Sequence, residues 1–227
     1  MKQSFVRSAR KKVSTPKHIP VFFQIIGLFV LWALYRSLFV FPDWFDEIFA
    51  KGIVFGLPSL LYARNALRVR EKLGLSPDRF WCGMYMGLLV GGIYGFVGAF
   101  RSLSSGTHVE PGMLFASSQF WYTFFLAMMT GWWESVFFFG YIMNAMKDEY
   151  KLPEVFAVVA ACIVFVAFHA PLRFMLEGFG SVAVAQLTLL GIFAAGQAIL
   201  FLRTKSLYSI VISHALWGMV LMIYGTP

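Results

Sequence analysis

Several uninterrupted apolar segments, each about 20 residues long, constrain the fold of this chain more than any other feature. A helix of that length crosses the hydrocarbon core of a bilayer, which is roughly 30 Å thick. Backbone polar groups must be paired inside lipid, so only helices or a closed barrel can cross it. The apolar residues are continuous and do not alternate with period two, which excludes a barrel. The sequence therefore predicts an all-α, polytopic bundle of transmembrane helices.

We predict seven spans in a single transmembrane domain covering residues 20–227. Residues 1–19 form a basic arm ahead of it. The spans cover residues 20–40, 48–63, 80–100, 113–146, 153–171, 179–202 and 207–224.

The segment 113–146 is long enough for one long span or two short ones, and charge decides between them. Short loops on the cytoplasmic side of a membrane carry more Lys and Arg than short loops on the other side. One long span leaves 15 basic residues inside and two outside, whereas two spans leave 12 inside and five outside. We therefore predict one long span, with a break near Gly131 or Gly140, and a cytoplasmic amino terminus.

The net charge of +8 is concentrated in short segments beside the spans. That distribution is typical of membrane topology and contact with lipid headgroups, not of nucleic-acid binding. We expect membrane lipid and a membrane-associated peptide or protein as partners, and no nucleic acid. The short loops favour a prokaryotic plasma membrane.

Glu134 is the one acidic residue deep inside a predicted span, and two of the four histidines, His169 and His214, also lie inside spans. Burying such a group in a membrane costs about 2.5 kcal/mol or more, so it usually faces the bundle interior and has a function. A carboxylate can act as general base on a water, and imidazoles can hold that water or stabilise an oxyanion. The same trio could also bind a divalent metal such as zinc. Arg36 and Lys51 are expected to extend towards an interface.

Three segments on these spans resemble, in order, the motifs of the CaaX protease and bacteriocin-processing (CPBP) family. The segment ESVFFFG, from Glu134 to Gly140, resembles the first motif, Glu-Glu-x-x-x-Arg. The segment FVAFH, from Phe165 to His169, matches the second, Phe-x-x-x-His. The segment SLYSIVISHALWG, from Ser206 to Gly218, resembles the third, in which His stands four residues before Asn. The resemblance covers about residues 80–224.

The resemblance implies an intramembrane endopeptidase. Carried over residue by residue, Glu134 would be the general base, His169 would share the water, and His214 would polarise the scissile carbonyl. The family leaves the participation of a metal open.

Three positions depart from the family pattern. Ser135 stands where the motif has its second Glu, and Phe139 stands where it has Arg. Their joint loss leaves no orphan charge buried. Gly218 replaces the Asn, and losing an oxyanion donor typically costs about 10²–10³ in rate.

Two alternatives to a protease stay open at this point. The chain could be a catalytically inactive family member that binds a membrane partner or confers immunity, or a small transporter or proton-relay protein. Counting about 1.5 Å per residue from the inner span ends places Glu134 roughly 18 Å deep, His169 roughly 24 Å and His214 roughly 11 Å. A shared site requires these three depths to agree.

Overall fold

The computed structural model describes residues 20–64, 69–105 and 117–224. Within them all regular structure is helical, and the elements join into seven rods. These are α1 (Val21–Leu38), α2 (43–64), α3 (Phe80–Ser105), α4 (118–150), α5 (Glu154–Glu177), α6 (Ser181–Thr204) and α7 (Leu207–Tyr224), with short helical turns at Val69–Lys72 and Pro77–Arg79. The predicted all-α bundle is confirmed. The basic arm at 1–19 lies outside the described residues.

Two of the rods contain π-helical turns, which are wider than α-helical ones. Rod α2 is α-helical at Asp43–Phe45 and Leu57–Arg64 and π-helical at Asp46–Ala50 and Gly52–Gly56. It therefore begins about five residues before the predicted span.

The long rod α4 is α-helical at Ser118–Glu134, π-helical at Ser135–Ile142 and α-helical again at Met143–Tyr150. It is one continuous helix, as expected for a single long span. The break predicted near Gly131 or Gly140 is wrong, because the backbone stays helical through both. The helix widens instead, directly after Glu134.

Among the described residues, four helices have the length and composition to cross a membrane: Val21–Leu38, Pro77–Phe100, Glu154–Glu177 and Ser181–Thr204. Large apolar side chains on them point outwards, including Phe96 on α3 and Ile163 on α5. On helices of this length and composition, such an apolar surface suits contact with lipid. The protein is an integral membrane protein.

Successive rods run in opposite directions, so their polar ends meet on one face of the bundle. At the start of α5, the Glu154 carboxylate lies 3.6 Å from Lys205, which follows α6. The backbone N–H of Val21, at the start of α1, donates to both carboxylate oxygens of Glu149 near the end of α4. This is the face that the charge count predicts to be cytoplasmic.

The end of α2 joins the same face through Asp148 of α4. Tyr62 donates to this carboxylate at 2.9 Å, and the Lys72 ammonium lies 2.8 Å away. Partial burial disfavours the charged carboxylate, but these two partners outweigh it and hold the pKa of Asp148 below its usual value.

Rod α3 packs closely on α7 through glycines spaced four residues apart. A Cβ at Gly87 would lie 2.7 Å from the carbonyl oxygen of Ser209, and one at Gly91 would lie 2.2 Å from the Leu216 side chain. Small residues at this spacing let two membrane helices approach. At Gly92, by contrast, a Cβ would meet nothing within 4 Å.

Candidate active site

The structure brings Glu134, His169 and His214 together although they lie on three different rods. His169 Nε2 of α5 and His214 Nε2 of α7 each lie 3.5 Å from Oε2 of Glu134 on α4. The Glu134 side chain is only 4% exposed. The two imidazoles that the sequence singled out thus lie on either side of one oxygen of the third group, the Glu134 carboxylate.

Two features of the fold remove the difference in depth between them. Rod α4 continues to Tyr150 rather than ending at Met146, which places Glu134 about 24 Å from its end, close to the depth of His169. Rod α7 begins inside the bundle, where a Cβ at Gly140 would lie 3.7 Å from the Leu207 side chain. His214 is therefore deeper than a count from its own helix start indicates.

Gly131 allows α7 to reach Glu134. A Cβ at this position would lie 2.9 Å from the Val211 carbonyl oxygen and 3.4 Å from the Cβ of His214. Glycine is the one residue that leaves room for this backbone contact. Gly131, where the sequence predicted a helix break, is thus a point of close contact between α4 and α7, three residues before Glu134.

Hydrogen bonding and packing orient the two imidazoles. Nδ1 of His169 lies 2.7 Å from the Phe165 carbonyl oxygen one turn earlier, so Nδ1 carries the proton and donates. In this orientation Nε2 of the ring faces Glu134. The His214 ring packs edge-on against Phe193, with ring centroids 4.9 Å apart, and its Nε2 faces the same carboxylate.

Lys51 of α2 is a fourth ionisable group at this site, and sequence reasoning missed it. Its ammonium lies 2.7 Å from Oε1 of Glu134 and 2.5 Å from Oε2 of Glu47, with 9% of the side chain exposed. The expectation that Lys51 extends towards an interface is wrong, because its two carboxylate partners lie inside the bundle. The pair Glu47 and Lys51, four residues apart on a helix, was the available signal.

Glu134 is also not the lone acid inside the bundle. Thr130 of α4 donates to Glu47. Asp46 is buried and accepts hydrogen bonds from Tyr35 and from Arg36. Arg36 is thus ion-paired with α2, and the span boundary predicted at residue 48 placed both acids outside the membrane.

A cavity of about 100 Å³ opens beside this cluster, bounded in part by Glu47, Lys51, Glu134 and His169. Polar walls and room for a few waters make it a place where water and a polar group can meet. A larger cleft of about 860 Å³ lies between α1, α2 and the inner end of α4, away from the three candidate residues.

The structure also describes the three positions that depart from the motifs. Ser135 and Phe139 are fully buried. A Cβ at Gly218 would lie 3.6 Å from the Cβ of Ala127, which is ordinary contact. An apolar neighbour therefore lies where the Asn side chain would begin.

The candidate residues do not fit a zinc site. Among the described residues, no group of three or more His, Cys, Asp or Glu side chains is arranged to hold a metal ion. The Lys51 ammonium contacts the same carboxylate that would ligate the metal, and its positive charge opposes a second cation there. We derive no step through a metal.

The fold and the site define a class: a helical membrane protein with a buried carboxylate facing two imidazoles. Residues 116–220 match the model of one protein family, the type II CAAX prenyl endopeptidase Rce1-like proteins. This segment carries all three motif segments, and its match confirms the resemblance to the CPBP family, which is a family of proteases. A search of curated proteins found no match, and neither did a search of solved structures.

Proposed function

We propose that this protein is an intramembrane endopeptidase that hydrolyses a peptide bond of a membrane-associated protein or peptide. The observation that carries the proposal is the convergence of His169 and His214 on Oε2 of Glu134. The family match over the same helices supports it. A prokaryotic plasma membrane and a cytoplasmic amino terminus belong to the same proposal.

Glu134 and His169 are suited to activate a water together. Nδ1 of His169 donates to the Phe165 carbonyl, so in the neutral tautomer that the mechanism requires, Nε2 accepts a hydrogen bond, as Oε2 of Glu134 does. A single water can donate one proton to each. The carboxylate then takes a proton as the water oxygen attacks the scissile carbonyl, and later returns it to the leaving amine.

His214 is suited to stabilise the oxyanion. With its proton on Nε2, which lies 3.5 Å from Glu134, the ring can donate a hydrogen bond to the carbonyl oxygen of a peptide bound beside that base, where the negative charge develops during attack. Gly218, one turn later, adds no side-chain donor. The site thus has one imidazole donor where the family motif supplies an imidazole and an amide, which predicts a slow enzyme.

Replacing Glu134 by Gln tests the proposal. The purified protein in liposomes would be assayed with a fluorogenic prenylated CaaX peptide and with a membrane-anchored leader peptide. Glu134→Gln keeps the shape of the side chain but removes the base, so we expect kcat to fall by on the order of 10² or more. Asp148→Asn, at the polar face, is the control and should cleave at the wild-type rate. Equal cleavage by Glu134→Gln and wild type would sink the proposal.

A catalytically inactive membrane-binding or immunity protein is the second candidate. One observation favours it: no amide stands at Gly218, where the family motif has Asn. If it is correct, neither peptide is cleaved, and the cellular phenotype survives Glu134→Gln at normal protein level.

A further inference from the structure

We infer that Lys51, anchored by Glu47, is a positioning residue for Glu134. The inference rests on the proposed function, because it assigns Lys51 a role through the general base.

The two oxygens of the Glu134 carboxylate contact different groups. Lys51 Nζ lies 2.7 Å from Oε1, whereas both imidazoles face Oε2. Fixing Oε1 sets the rotation of the carboxylate and leaves Oε2 free for the water. A general base must be held in a fixed direction and must stay ionised, and the positive charge of one ammonium on Oε1 serves both ends.

Lys51 is itself held on the other side. Glu47 lies 2.5 Å from its ammonium and accepts a hydrogen bond from Thr130, one turn before Glu134 on α4. The carboxylate of Glu47 thus links the lysine back to the helix that carries the base. This makes the Lys51 ammonium a fixed charge rather than a flexible one.

Rod α2 fits closely on α4. A Cβ at Gly56 would lie 2.6 Å from the indole ring of Trp133, and one at Gly52 would lie 3.4 Å from it. These glycines let the Trp133 ring lie against the α2 backbone. Gly52 follows Lys51 directly and Trp133 precedes Glu134, so this contact fixes the spacing between the lysine and the base.

The charge balance also requires such a lysine. The groups that face Glu134 are Lys51 and Glu47 from α2, His169 from α5 and His214 from α7. Farther out, the Arg36 charge is matched by Asp46. Without Lys51, two carboxylates would share an apolar interior with two imidazoles, which strongly disfavours keeping Glu134 ionised.

The test compares Lys51→Met with Lys51→Arg and Glu47→Gln in the liposome cleavage assay over a range of pH. Lys51→Met should lower kcat on the order of 10²-fold at neutral pH and move the acid limb of the profile to higher pH, because a neighbouring positive charge is lost. Lys51→Arg should restore most of the rate. Glu47→Gln removes a negative charge and should move the acid limb the other way. Packing damage alone would not give shifts of opposite sign.

Lys72→Met is the matched control, since it breaks an ion pair with Asp148 at the polar face and should leave the pH profile unchanged. If Lys51→Met does not accumulate, Glu47→Gln and Lys51→Arg still decide the matter by the direction of their shifts. Wild-type kcat and pH profile in Lys51→Met or Glu47→Gln, with activity still abolished by Glu134→Gln, would overturn the positioning role alone. Full activity of Glu134→Gln would overturn the proposed function instead.

Discussion

Each oxygen of the Glu134 carboxylate has its own surroundings. Oε1 contacts an ammonium at 2.7 Å, and Oε2 lies 3.5 Å from each of two imidazole nitrogens. An anionic side chain in a membrane interior is costly unless a counter-charge lies close to it. Lys51 is that counter-charge, so the residue that stabilises the buried acid also leaves its other oxygen open for chemistry.

At the same scale, we expect the substitution Gly218→Asn to raise the activity. Residue 218 lies one turn after His214 on the same helix face, and a Cβ there meets only ordinary contact with Ala127. Gly218→Asn should supply the missing donor and raise kcat for the best cleaved peptide by up to about 10²-fold. Gly218→Ala adds the Cβ without the amide and should leave kcat unchanged. An equal effect of Asn and Ala would argue against an oxyanion role at this position.

At the scale of the helices, contacts through glycine place α7. Gly87 and Gly91 bring α3 against one side of it, and Gly131 brings α4 against the other. With no side chain at these positions, the backbones approach closely enough for His214 to reach Glu134. The wide π-helical turns of α4 begin at Ser135, immediately after Glu134, and such turns are frequent at functional sites.

This packing predicts different responses from two glycines of α3. In Gly87→Ala the new Cβ would lie 2.7 Å from the Ser209 carbonyl oxygen, so the helices must move apart. We expect the free energy of unfolding to fall by about 1–3 kcal/mol, which would be measured as a lower melting temperature in detergent. Gly92→Ala meets open space and should melt at or slightly above the wild-type temperature. If the melting temperature of Gly92→Ala falls as far as that of Gly87→Ala, the close contact of α3 with α7 at Gly87 is contradicted.

At the scale of the whole molecule, the polar helix ends collect on one face, which includes Lys72, Asp148, Glu154 and Lys205. The positive-inside rule predicts that this face is cytoplasmic. The Asp148 carboxylate on this face has a lowered pKa, so its stabilising contribution is present at neutral pH and is lost as the pH falls through that pKa.

Cysteine labelling of intact cells tests the orientation. In a background lacking Cys82 and Cys162, Glu154→Cys marks the basic face and Phe179→Cys marks the opposite one, where Phe179 is 90% exposed. A membrane-impermeant maleimide should label position 179 on intact cells and position 154 only after permeabilisation. The reverse pattern would show that the amino terminus lies outside.

The sequence alone predicted the helical class, a bundle of membrane-crossing helices and the identity of the three central residues. These follow from local properties. The length of an apolar run matches the thickness of a bilayer, and an ionisable residue inside such a run is costly wherever it lies. The ordered motifs around Glu134, His169 and His214 added the resemblance to the CPBP family, and the match over residues 116–220 supports that resemblance.

Only the tertiary structure decided that the three residues share one depth and that Lys51 and Glu47 join them. The start of α7 inside the bundle and the close contact at Gly131 depend on neighbouring helices, so a count along a single span missed them. Lys51 near the start of a weakly apolar span looks like an interfacial lysine in sequence. Whether it pairs with Glu134 depends on the rotation of α2 against α4, which side-chain packing sets and no linear spacing encodes.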